Sequence, residues 1–247
     1  MHKIYSIAKR ELISYFSTPV AFVFMIIILL LFGFSTFSLG EPDFFEYGTA
    51  DLSRFFYWHP RIYMLMVPAI AMHLWSDERR LGTIELLLTM PVPAHYLVIG
   101  KFLASWVFMA LCLICTFPII IAVGYLGSPD FGMIFCGYLG SLFISGIFLS
   151  VTGMTSAVAR NQVVSFILAF MICFFLVIFG DSSVTDFFKT WLGPGLFNSF
   201  SAISVSNHFM TFQRGVIDFR NLFYFFSMIT LPLYLTWIIV KNHRSGK

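Results

Sequence analysis

The residues best placed to do chemistry gather in one stretch, Ser76-Asp77-Glu78-Arg79-Arg80-Leu81-Gly82-Thr83-Ile84-Glu85-Leu86-Leu87-Leu88-Thr89-Met90-Pro91, between two long apolar runs. Gly82 breaks the chain, Thr83 can accept a backbone bond as an N-cap, and Glu85 falls in the first turn, where a helix dipole favours an anion. Pro91 and Pro93 then limit the helix to roughly two turns, Ile84 to about Met90, which is marginal alone in water. Ile84, Leu87 and Leu88 share one face beside Leu86. An apolar face rimmed by charge has two readings, a patch on which a partner docks or a helix lying on the lipid surface. Either way the chemistry is recognition, not bond making.

Bond-making sets are missing from the rest of the chain. Gly127 and Gly132 have the glycine spacing of a phosphate loop, but Met133 stands where the lysine belongs, so ATP cannot be held that way. Neither H-E-x-x-H nor G-x-S-x-G occurs, and the six histidines are scattered. His73 and Asp77, one turn apart, read as a cap or surface contact. Cys112 and Cys115 form a C-x-x-C inside an apolar run, read as small polarizable packing groups, since a redox pair sits near an exposed helix start. The expectation is a chain that is not an enzyme, with no cofactor, no metal and no catalytic residue of its own.

The elements that position the charged stretch are membrane spans. Of 247 residues, 59% are hydrophobic and 11% charged, against roughly 45–50% and 25% in soluble domains, and the mean hydropathy is +0.87. A span needs about 20 apolar residues to cross about 30 Å of hydrocarbon. Six such runs are predicted, at 20–39, 55–75, 102–126, 131–159, 163–180 and 222–240, with a loop over 76–101 and an extracytoplasmic region over 181–220. A charge near a span's centre costs about 2.5–3.5 kcal/mol. Only the second run carries one, Arg61, beside His59 and Pro60 at what is read as the outer end, where the side chain can snorkel.

Basic residues orient the chain. The inner side is assigned ten basic and four acidic residues and the outer side five and eight, giving +6 inside and −3 outside. Both termini are therefore expected in the cytoplasm, and the overall +3 needs no nucleic acid partner. The first run is retained as an anchor, because about fifteen amphipathic residues precede it and no small-residue cleavage site follows. In residues 1–18, Ile4, Ala8, Leu12 and Tyr15 recur at helical spacing, opposite Lys3, Arg10 and Ser14. That pattern fits an elbow helix in the membrane surface or an ordinary amphipathic tail.

Gly137, Ser141 and Ser145, followed by Gly146, Ser150, Thr152 and Ser156, let helix backbones approach closely, within one subunit or between two. Pro118 and Pro232 should kink their spans. The region 181–220 is too apolar for a solvated loop. Leu196, Phe200 and Ile203 at helical spacing after Gly193-Pro194-Gly195 suggest a re-entrant or interfacial half-helix, with a return through Phe209 and Phe212. No Asp or Glu lies within a span, which disfavours an ion-driven carrier.

Three separated segments resemble the permease subunits of ABC-2 type transporters, especially the gliding-motility-associated branch and its relatives in multicopper-enzyme maturation. Asp77-Glu78-Arg79-Arg80-Leu81-Gly82-Thr83-Ile84-Glu85-Leu86-Leu87-Leu88-Thr89-Met90-Pro91 is similar to the family's acidic pair, Gly-Thr, Glu-x-Leu-Leu and closing Pro, with Asp77 where Glu is commoner. Arg214-Gly215-Val216-Ile217-Asp218 with Tyr224-Phe225 resembles the entry to the last span, and Glu11-Leu12 through Thr18-Pro19 resembles the elbow junction.

The resemblance implies an all-α, six-span membrane protein of the type V exporter-like ABC-2 fold. Two copies of a separate ABC ATPase would carry ATP and Mg, and a second copy of this chain or a similar half would complete the bundle. The helix Ile84 to Met90 would be the coupling helix, served by Asp77, Glu78, Arg79, Gly82, Thr83, Ile84, Glu85, Leu86, Leu87, Leu88 and Pro91. Arg214, Gly215 and Asp218 would mark the outer motif. It further implies a bacterial cytoplasmic membrane and, for the gliding branch, a membrane partner with a large extracytoplasmic domain. Two functions stay open: an export permease, or a subunit that relays ATP hydrolysis to an extracytoplasmic process in motility, surface-protein assembly or enzyme maturation without conducting a substrate.

Overall fold

The computed structural model describes residues 2–37, 52–84, 93–127, 129–180 and 202–245, and every element among them is a helix. In chain order these are α1 (His2–Ser17), α2 (Pro19–Phe37), α3 (Ser53–Ala71), α4 (His73–Leu81), α5 (Ala94–Ile114), α6 (Phe117–Leu126), α7 (Phe131–Val158), α8 (Gln162–Ile178), α9 (Val205–Gln213) and α10 (Phe219–Ser245). Among the described residues, four stretches are long and apolar enough to cross a membrane: Pro19–Phe37, Ala94–Leu126, Phe131–Val158 and Phe219–Asn242. α8 is as apolar but has 17 residues. α3 has 19 residues, yet His59, Pro60 and Arg61 keep it out of that set.

Three boundaries differ from the expected ones, each for a local reason. The second apolar run divides at Met72, so its last three residues, His73, Leu74 and Trp75, belong to the polar helix α4. The third begins at Ala94 rather than Phe102, because Pro93, extended at φ −60° and ψ 138°, releases the chain directly into a helix. Lys101, expected in the loop, therefore lies inside α5. The same run breaks at Cys115-Thr116, where Pro118 sits in the first turn of α6 and needs no amide bond. Pro232 lies within α10, which continues unbroken on either side.

α7 is the axis of the bundle, with 72% of its most apolar window buried against 28% in α2 and in α10. It packs on α3, α4, α5, α8, α9 and α10. Its small residues make this possible: a Cβ at Gly137 would lie 2.5 Å from the Phe56 ring, and one at Gly140 would lie 2.8 Å from Phe209. The small-residue stripe is thus used inside the subunit, the first of its two readings.

α1 lies along α5, and Gly100 gives Ile7 the space to approach. The helix ends where Thr18 donates through its hydroxyl to the Tyr15 carbonyl, and Pro19 opens α2. The expected apolar face is the packed one: Ile4, Ala8 and Leu12 are partly buried and Tyr15 is buried, while Lys3, Arg10 and Ser14 are exposed.

Candidate functional site

Residues 76–81 of the charged stretch fold within α4, and Asp77, Glu78 and Arg79 turn into the protein while Arg80 and Leu81 are exposed. α4 starts without a side-chain cap of its own, which leaves first-turn amides in need of acceptors. Ser156, in the last turn of α7, supplies one: its hydroxyl oxygen accepts from the Trp75 and Ser76 amides at 2.9 and 3.0 Å and donates to the Met72 carbonyl at 2.9 Å. One buried hydroxyl therefore caps a helix eighty residues away in sequence.

Each charge then reaches a different neighbour. Asp77 accepts from Gln162 in the first turn of α8 and lies 3.4 Å from Arg80. Arg79 donates to the carbonyls of Ala157 and Val158, closing the C-terminal end of α7 with the charge its dipole favours. Glu78 accepts from Lys101 of α5 at 2.7 Å.

Lys101 is the centre of the site and was not expected in it. The residue is 4% exposed. Its Nζ donates to Glu78 and to the Leu74 carbonyl, both at 2.7 Å, lies 4.0 Å from Glu11 of α1, and stands 4.9 Å from the Trp75 ring. Burial is the main cause that raises the Glu78 pKa, opposed by the Lys101 charge and hydrogen bond beside it. Among the described residues no group reaches the second Glu78 oxygen. Burial likewise pushes the Tyr15 hydroxyl up to about 12, against its bond to Ser105 of α5 at 3.0 Å.

A cleft of about 440 Å³ opens beside this cluster, between α1, the start of α2 and the α3–α4 junction, with Glu11, Tyr15, His73, Glu78 and Lys101 in its wall. A signal for Lys101 was present in the sequence: Ala94, Leu97, Val98, Lys101, Ser105 and Phe108 follow helical spacing on what proves to be the buried face of α5. Glu11 falls on the same face of α1 as Ile7 and Tyr15.

Beyond α4, Gly82 takes the left-handed conformation at φ 70° and breaks the helix as expected. Thr83 and Ile84 resume helical backbone, and Ile84 is 9% exposed. The Thr83 hydroxyl points back, 3.4 Å from the Glu78 carbonyl; any bond it accepts from beyond Ile84 lies outside the described residues. Glu85, Leu86, Leu87, Leu88 and Pro91, hence most of the expected coupling helix, also lie outside them, as do Gly193-Pro194-Gly195, Leu196 and Phe200.

The second predicted set lies elsewhere and does different work. Cys136 and Ala157, which touch the two sets, are separated by about 30 Å along α7 at 1.5 Å per residue. Arg214 and Gly215 end α9: the Gly215 amide bonds to Phe212 and the Val216 amide to Thr211, with Gly215 at φ 77°. These two bonds and the left-handed residue make a Schellman turn. The Gly215 carbonyl accepts from the Cys136 thiol, and Asp218 accepts from the Arg220 amide at the start of α10. α9 buries Val205, Phe209 and Phe212. His208 stacks on Tyr224 with ring centres 3.8 Å apart and bonds Asn221, so α9 is folded back on α10.

Among the described residues no group of His, Cys, Asp and Glu could hold a metal ion. The arrangement is a polar fastening of α4 to α5, α7 and α8.

The sequence matches the family model described as ABC-2 family transporter protein over residues 62–240, from the middle of α3 through α10. A search of curated proteins gave no match. The matched span holds α4, Lys101, the α7 axis and the α9–α10 turn, and it covers well over half of the chain. By that span and its apolar helices, the chain belongs to the ABC-2 family of transporter proteins, as a multi-pass membrane component of an ABC transport system.

Proposed function

We propose that this chain is the permease subunit of an ABC-2 exporter, driven by a separate ATPase that seats on the segment 84–90. The six spans are α2, α3, α5 with α6, α7, α8 and α10, with both termini in the bacterial cytoplasm and α9 on the outer side. Two copies of the ATPase carry ATP and Mg, and a second copy of this chain completes the bundle. Members of the family normally work with an ABC ATPase, and the resemblance of the three segments supports a relation to the gliding-motility-associated branch.

The observation that carries the reading is the inward turn of α4. Asp77, Glu78 and Arg79 bind Gln162, Lys101 and the end of α7, so they are tied to the bundle. Ile84 is in the core, so contact with the motor falls to Glu85, Leu86, Leu87 and Leu88, closed by Pro91. A push on that segment enters α4 and reaches α1, α5, α7 and α8 through side-chain bonds.

The test is to purify the tagged chain in mild detergent from its native host, identify what accompanies it by mass spectrometry, and assay ATP hydrolysis. A co-purifying ABC ATPase that is lost on Leu87→Asp supports the docking site, because the substitution puts a charge into a desolvated apolar contact. A wild-type chain that comes out alone from cells expressing an ABC ATPase refutes it. If an envelope protein accompanies the ATPase and hydrolysis depends on that protein without moving a substrate, the chain is a relay subunit instead.

A further inference from the structure

The cluster around Lys101 holds more charge than a structural fastening needs. A buried ion pair is weak as a stabiliser, since desolvation of both ions offsets most of their attraction, and an apolar group of the same volume often serves as well. Helices α1 and α5 already pack through Ile7 on Gly100 and through the Tyr15–Ser105 hydrogen bond. What the ammonium adds is a link to two carboxylates on two different helices, at unequal distances: 2.7 Å to Glu78 of α4 and 4.0 Å to Glu11 of α1.

We infer that Lys101 is a positioning residue for energy coupling, an ammonium shared between Glu78 and Glu11 that makes α1 follow the movement of α4. This rests on the docking reading above and names the path the stroke takes into the membrane. In the arrangement seen, Lys101 is bonded to Glu78 and beyond hydrogen-bond distance of Glu11. A displacement of α4 that lengthens the Glu78 bond leaves a buried ammonium short of a partner, and the nearest carboxylate able to take it is Glu11. Closing that gap draws α1 along α5. The second Glu78 oxygen, which has no partner among the described residues, shows that the carboxylate is not held in one geometry by other bonds.

The wall that would move is the wall of the 440 Å³ cleft, to which Glu11, Ser14, Tyr15, Glu78 and Lys101 all contribute. Ser14 is exposed, so a thiol placed there reports the change. The experiment uses the full chain with its co-purified ATPase in nanodiscs, a Ser14→Cys reporter in a Cys115→Ser background, and an impermeant maleimide. Co-purification reports docking, and the ATP-dependent change in labelling rate reports movement of α1.

Lys101→Met is expected to keep the ATPase on the complex and to lose the ATP-dependent change. Glu78→Gln, which keeps the side-chain shape, is expected to lose it too. Lys101→Arg is expected to retain it, because a guanidinium reaches both carboxylates and the cleft gives it room. A purely structural role predicts the opposite order, with the longer arginine more disruptive than methionine. The inference is overturned if Lys101→Met or Glu78→Gln keeps the wild-type change, or if Lys101→Arg behaves like Lys101→Met. Absence of an ATPase from the wild-type complex overturns the docking reading and this one with it. A docked, ATP-responsive Lys101→Met complex overturns only this one.

Discussion

Removing the Ser156 hydroxyl should detach α4 while leaving the rest of the bundle folded. In Ser156→Ala the Trp75 and Ser76 amides lose their shared acceptor and the Met72 carbonyl loses a donor, although the Ser76 hydroxyl still reaches that carbonyl at 2.7 Å. Trp75 is 2% exposed and Ser76 and Ser156 are 0% exposed, so water does not replace the lost bonds without movement. Leaving a buried donor unsatisfied costs about 1–3 kcal/mol. With two amides affected and some relaxation, α4 should be destabilised by about 2–4 kcal/mol, a factor of about 30–1,000 in its opening equilibrium. Hydrogen exchange followed by mass spectrometry, on peptides covering residues 73–81 and 140–152, reads this directly. Faster exchange should be confined to the first peptide, because opening α4 breaks side-chain bonds at one end of α7 without unpacking Gly137 or Gly140. Unchanged exchange in residues 73–81 would refute the cross-helix cap, and an equal rise in both peptides would show that α4 does not open separately.

Gly137→Ala should lower thermal stability by about 1–3 kcal/mol through overpacking, since its Cβ would lie 2.5 Å from the Phe56 ring; Phe56→Leu should restore part of the loss in a detergent melting assay. At φ 77°, Gly215→Ala should cost about 1–2 kcal/mol from the left-handed backbone, and Gly215→Asn should cost less in the same assay. Burial raises the Glu78 pKa in the folded chain, so its contribution to stability is full below the ordinary glutamate pKa of about 4.3 and is lost as pH rises through the raised value. Melting temperatures measured against pH across that window should therefore fall more steeply for the wild type than for Glu78→Gln, and equal slopes would remove Glu78 as the cause.

Much of the bundle was legible because membrane helices are specified by composition and local pattern. Few charges, long apolar runs and proline punctuation located the helical stretches, and the Gly-Ser stripe marked α7 as a close-packing helix. Gly82 and the packed face of α1 were legible for similar local reasons. What was not legible depended on distant partners. Lys101 and Glu11 were assigned by sign of charge to one side of the membrane, which says nothing of whether a charge points out or in. Lys101 is buried because Glu78 and Glu11 converge on it from two other helices, and Ser156 caps α4 across eighty residues. Arg214, Gly215 and Asp218 were marked by resemblance, but their roles follow from a Schellman turn and a helix start that needed the backbone to be seen.

The two ends of α7 are fastened by different physics, and that difference bears on where an ATP-driven stroke can act. At the α9 end the hold is steric and local. Phe209 and Phe212 pack on Gly140, the Schellman turn fixes Gly215 against Met133, and Asp130 caps the first turn of α7. Moving these groups means opening a packed interface, whose cost grows with every methylene exposed. At the α4 end the hold is polar and runs through single side chains: Ser156, Arg79, Gln162 with Asp77, and Lys101 with Glu78. Asp77, Glu78, Lys101 and Gln162 line the cleft, so a bond among them exchanges partners without unpacking the core, whereas Ser156 is buried away from water and holds α4 more firmly. Under the proposed docking, a force arriving through residues 84–90 would meet replaceable bonds first and packed aromatics only about 30 Å further along α7. Rearrangement at the charged end with the α9 end held as a pivot is the motion this asymmetry favours, and it places Lys101 where the first exchange of partners occurs.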